Sequence, residues 1–202
     1  MGKLDISLGA LIMLVPDAIG KATDALVLPD REMALEVLHW RALVDDLYGE
    51  VEHTAEMSVA RQAPVAGDLR FLLACVRLVP VVADAVDLVA DLASPATRLL
   101  EGQLSGRVRT LTRQIGDAAV STWEAVGELW ARRDRVRVQA VRDRDDALGE
   151  SHSTLTAELA GGLVNLPVAL QMVLVGRSYE RLGRDALAAA RLIEPLISLP
   201  SG

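Results

Sequence analysis

Breaks of proline, glycine and N-capping residues cut this chain into six runs, each long enough for several helical turns. No run alternates apolar and polar residues in twos, and none ends in a hairpin turn signal. That punctuation leaves an all-α fold as the expectation. The first run spans about Ile6 to Leu28 with Pro16 inside it, and Pro29-Asp30 opens a second that reaches Gln62. A turn over Ala63–Gly67 opens a third that ends near Ala93, with Pro80 expected to bend it. Ser94-Pro95, a capping residue followed by proline, is expected to start a fourth run that continues to about Arg132. A fifth covers Asp134 to Leu159, and a sixth covers Leu166 to Ile197. The apolar residues amount to 51% but the aromatic ones to only 3%, so the core must be built from Ala, Leu and Val, which suit packed helices. The apolar stripes of the third and sixth runs, Leu73 and Leu174 included, are expected to form two such cores, one in each half of the chain.

Charge and cysteine usage narrow the function classes. A net charge of −7 argues against nucleic-acid binding, which needs a basic surface to neutralise phosphates. Arg132, Arg133, Arg135, Arg137, Arg142 and Arg144 are interleaved with Asp134, Asp143, Asp145 and Asp146, the pattern of a solvated, salt-bridged helix face. The single cysteine, Cys75, lies in an apolar run and reads as a small core residue in a reducing compartment. Leu8–Val15 is apolar, but Pro16 and Asp17 follow it without a cleavage-site pattern, so no targeting segment is expected. Leu159–Gly176 carries no charge, yet Gly161, Gly162, Asn165, Pro167 and Gln171 split it into a helix end and a helix start. A soluble core segment is the expectation there.

The joint between the second and third runs reads Arg61-Gln62-Ala63-Pro64-Val65-Ala66-Gly67-Asp68-Leu69-Arg70. Physically it is a tight interhelical turn, with Asp68 placed where a helix N-terminus favours negative charge. In residue order it resembles the R-Q-P-x-x-x-D-L-R joint of the PhoU family, carried here by Arg61, Gln62, Pro64, Asp68 and Arg70. Gly176-Arg177-Ser178-Tyr179-Glu180-Arg181-Leu182-Gly183 is similar to that family's A-R-Y-L-E-R-I-G-D, and Val37–Leu47 to its V-x-x-x-D-x-x-I-D-x-L. The resemblance implies two tandem three-helix bundles, about 4–94 and 95–198. Laying the second run on the fifth and the third on the sixth fits such a duplication. It implies a cytoplasmic, non-enzymatic adaptor without a cofactor, peripheral to the membrane at most. Such an adaptor relays the state of a phosphate transporter ATPase to a sensor histidine kinase and represses the phosphate-starvation response. A homodimer is also expected.

In this family, E-x-x-x-D or D-x-x-x-D pairs on two helices of each bundle can bind metal clusters. Residues four apart share one helix face, and several carboxylates suit hard or borderline cations. Here the four matching pairs read Arg41/Asp45, Ala83/Asp87, Asp145/Gly149 and Glu180/Arg184, so each has lost one acid. Asp46, Asp84, Asp146 and Asp185 lie one residue along, about 100° around the helix, and cannot simply replace them. A degenerate metal surface is expected, with Asp45, Asp87, Asp145 and Glu180 as the residual candidates. Antiparallel neighbours would set Arg41 opposite Asp87 and Arg184 opposite Asp145, so that an interhelical ion pair stands in for the cation in each bundle. Two alternatives stay open: a metal-binding bundle that stores or senses ions, and a divergent relative whose partner has changed. His39, His53 and His152 lack zinc-site spacing, Gly161-Gly162 lacks a phosphate-loop pattern, and Trp40, Trp123 and Trp130 read as packing residues.

Overall fold

Polar side chains that reach back into the first turn set where the helices begin. The computed structural model describes residues 2–62, 66–99, 102–161 and 164–197, with the backbone alone for 40–43, 45–47, 50, 55, 58–62 and 66. Six α-helices carry the fold: α1 (Gly2–Val27), α2 (Arg31–Gln62), α3 (Ala66–Ala93), α4 (Gly106–Arg132), α5 (Arg135–Ala160) and α6 (Leu166–Ile193). Short 3-10 turns follow α3 at Ser94–Thr97 and α6 at Glu194–Leu196, and there is no strand among the described residues. Asp134 and Asn165 accept hydrogen bonds from the amides of Arg137 and Val168 and start α5 and α6, close to where the sequence put them.

The fourth helix starts elsewhere. Ser94-Pro95 opens only the 3-10 turn, whose N-terminus has no side-chain cap. The cap of α4 is Ser105, whose Oγ accepts from the Val108 amide at 3.1 Å. Proline fits the first turn of a 3-10 segment as well as that of an α-helix, so Ser-Pro marks a helical start without fixing how far the helix runs. The sixth helix likewise ends at Ile193, short of Ile197.

α1, α2 and α3 pack together, as do α4, α5 and α6; α1 also lies on α4 and α3 on α6, so a single hydrophobic core runs through all six. The outer helices bury narrow seams at seven-residue spacing, Val37, Val44 and Val51 on α2 and Val141, Leu148 and Leu155 on α5. On α3 and α6 the buried positions recur 97 residues apart, as in Phe71 and Val168, Cys75 and Met172, Leu78 and Val175, Val82 and Tyr179. The exposed apolar positions recur in the same register: Leu69 and Leu166, Leu73 and Leu170, Val76 and Val173. Leu73 and Leu174 are therefore not core residues, being 45% and 64% exposed. Both helices are apolar on more than one face, so periodicity alone could not say which face is covered.

The seam between α1 and α4 is close. A Cβ on Gly116 would overlap Thr23, lying 2.6 Å from its Oγ1. The buried Thr23 hydroxyl donates to the Ile19 carbonyl at 2.7 Å, so the 2.7 Å bond it shares with Tyr179 is donated by the phenol. Arg113 of α4 pairs with Asp24 of α1 at 2.7 Å, and the buried Trp123 indole donates to the Leu182 carbonyl at 3.1 Å. At the far end Arg133, in the left-handed region at φ 49°, ends α4. Its guanidinium pairs with Asp5 and lies over the rings of Trp130 and Phe71, at 4.9 and 5.4 Å from their centroids. Cys75 is buried, which pushes its thiol pKa up to about 12. By length and composition α1 could cross a membrane; here its apolar side faces this seam and the core.

Candidate functional site

Half-buried carboxylates gather along α5 and α6, where the sequence placed the residues of the second degenerate metal surface. Asp145 projects from α5 straight onto α6 at Gly183. A Cβ at Gly183 would overlap the Asp145 carboxylate and stand 2.8 Å from Leu148 Cδ2. Glycine there lets the two helices close around an acid. Burial, then the negative charges of Asp146 and Glu180, raise the Asp145 pKa, with Arg184 pulling the other way. Arg184 makes its ion pair along its own helix, with Glu180 at 3.8 Å, and among the described residues no ion pair joins it to Asp145. The reason is geometric: Gly183 occupies the position facing Asp145, and Arg184 lies one residue further round the helix, exposed to solvent.

A second acidic cluster lies where α6 meets α3. The Asp185 pKa is pushed up to about 6, first by burial and then by Asp84, against the opposing pull of Arg181 and Arg184. One of its oxygens, Oδ2, is buried without a hydrogen-bond partner. In the sequence Asp84 and Asp185 read only as displaced acids, because spacing along one helix says nothing of the acid arriving from another.

Ala83 and Asp87 are half-buried on α3. The side chains of Arg41 and Asp45 lie outside the described residues, and with them the proposed Arg41–Asp87 pair. Of the joint, Asp68 stands in the first turn of α3 and Arg70 is exposed, whereas the side chains of Arg61 and Gln62, and Pro64 altogether, are outside the described residues. Among the described residues no three His, Cys, Asp or Glu side chains converge on a possible metal position. The arginine-rich start of α5 is tied down locally: Arg137 pairs with Asp134 and, at 3.9 Å, with Glu128, Arg142 pairs with Glu194 at 3.9 Å, and Arg144 donates to the Ser121 carbonyl at 2.7 Å. These contacts agree with a salt-bridged face. Gly183 as a seat for an acid has no signal in the sequence apart from its place in the 176–183 motif.

Comparison with known proteins shows what this chain is similar to. Residues 10–94, most of α1 to α3, match the PhoU domain. The chain is similar to the phosphate-specific transport system accessory protein PhoU homolog 1 of Mycobacterium leprae, 28% identical, covering 96% of this chain and 88% of that protein. It is also similar to PhoU homolog 2 of Mycobacterium tuberculosis, 27% identical over 96% of this chain and 92% of that one. In fold it superposes on the crystal structure of PhoU from Pseudomonas aeruginosa with a TM-score of 0.88, covering 97% and 96% of the two chains at 24% identity. The phosphate transport system regulatory protein PhoU from Streptococcus pneumoniae gives 0.87 at 20% identity. A PhoU-domain match over residues 10–94, a helical fold shared almost end to end and curated relatives aligned over nearly their whole length make this chain similar to PhoU proteins.

Proposed function

We propose that this chain is a regulatory accessory protein of phosphate transport, acting by reversible protein contact and not by catalysis. The observation that carries the reading is the near full-length alignment to relatives named phosphate-specific transport system accessory proteins. The physical chemistry of the surface supports it. Apolar side chains left exposed at matching positions of α3 and α6 (Leu69, Leu73 and Val76; Leu166, Leu170 and Val173) offer a repeated patch to a protein partner. The partners are a phosphate transporter ATPase and a sensor histidine kinase, met from the cytoplasm. Each chain forms two bundles, residues 4–94 and 95–198, and the working form is a homodimer of such chains. Charged residues around such a patch set specificity and encounter rate more than they set affinity.

The test is genetic. Mycobacterium bovis carries a homolog 1 and a homolog 2, so any companion gene is deleted together with this one. Phosphate-starvation genes should then stay on in phosphate-rich medium and switch off when this chain alone is returned. Normal repression in the double deletion, or no rescue by the folded chain, would overturn the role.

A further inference from the structure

We propose that the cavity between the end of α3 and the first half of α6 binds a phosphorylated small molecule through Arg98, Arg177 and Arg181. The cavity has a volume of about 470 Å³, inside the range of roughly 300–1,000 Å³ usual for small-molecule sites. Arg177 and Arg181 stand four residues apart on α6, so their guanidinium groups share one helix face. Arg98 enters from the other wall, directly after the 3-10 turn. Among the described residues none of the three has an acid within ion-pair distance, whereas Arg107, Arg113, Arg137 and Arg142 each do. In a chain of net charge −7, three such guanidiniums around one concavity make a local positive field. Their planar forks match phosphate oxygens two bonds at a time.

The remaining walls say what else the ligand carries. Asp91 lines the cavity too, and a carboxylate repels a bare anion but accepts hydrogen bonds from a hydroxyl or amine. Leu174, 64% exposed, offers apolar surface to the body of the ligand. The Ser178 hydroxyl donates to the Leu174 carbonyl over 3.3 Å, a long bond that it can exchange for a phosphate oxygen. A charged head, a hydrogen-bond donor and an organic body describe a phosphate ester better than inorganic phosphate. A concave site of this size also suits a small molecule better than the flatter contact of an acidic protein segment. The cavity lies away from the Asp145–Gly183 contact, and its occupancy does not depend on the regulatory role proposed above.

Calorimetric titration of the full chain tests this with four probes: ADP, fructose 1,6-bisphosphate, inorganic phosphate and a glutamate-rich peptide. At least one ester should saturate a single site with a Kd below about 1 mM, at least about tenfold tighter than inorganic phosphate or the peptide. Arg177→Gln and Arg181→Gln should each weaken it about tenfold or more, the loss expected when a charge-assisted hydrogen bond is removed. Both residues are exposed, and circular dichroism of the variants should match the parent. Three results would each overturn the assignment: neither ester saturating, unchanged ester affinity in folded variants, or inorganic phosphate or the peptide binding as tightly as the ester.

Discussion

The two seams that join the front and back halves of this protein are built on opposite principles. Where α1 meets α4, small residues let the backbones close, Arg113 finds Asp24, and the buried Thr23 hydroxyl and Trp123 indole both reach partners on α6 behind the seam. Where α3 meets α6, Asp185 keeps a buried oxygen without a partner beside Asp84, apolar side chains stay in water, and three arginines outside any described ion pair line a cavity. Unsatisfied and exposed groups lower stability, so a protein retains them where binding uses them. The contrast assigns the α1/α4 seam to holding the molecule together and the α3/α6 seam to its work.

Breaking the first seam should have the largest effect. Trp123→Ala removes a fully buried indole of α4 together with its bond to the Leu182 carbonyl of α6, at a cost of about 3–5 kcal/mol in denaturant unfolding. Gly116→Ala forces a methyl group into Thr23 and should cost about 1–3 kcal/mol, with thermal unfolding as the check. A loss near zero in either variant would mean that the seam is slack.

At the second seam the sign reverses. Asp185 has a folded pKa of about 6 against an ordinary 3.8. Between those values the folded state holds the extra proton, so this group's contribution to stability is full below about pH 4 and is lost as the pH rises to about 6. Asp185→Asn should flatten that decline and stabilise the protein above pH 6, by about 1 kcal/mol after allowing for solvent screening. A variant less stable than the parent at pH 7 would show that Asp185 is satisfied after all. Smallest of all, Leu73→Ala and Leu174→Ala should each stay within about 0.5 kcal/mol, because water already reaches both side chains.

How far the sequence could be read obeys the same division. The helix starts at Asp134 and Asn165 were legible, since each is a local pattern with a local physical cause. Ser105 was hidden behind the stronger Ser-Pro signal at 94–95, and the covered face of α3 could not be told from its exposed one. The site needed distances between helices. Spacing places Asp145 and Arg184 on facing helices, but only the missing Cβ of Gly183 decides what the acid touches. Arg98 meets Arg177 and Arg181 solely through the packing of α3 on α6, to which no pattern within one helix can point.

The division of labour is tested most directly by charging the register-matched apolar pair, Leu73→Lys with Leu170→Lys, and measuring unfolding and phosphate-dependent repression on the same variant. Both side chains are exposed and lysine is a good helix former, so stability should stay within about 0.5 kcal/mol of the parent while repression is lost. A variant that folds normally and still represses would contradict the division.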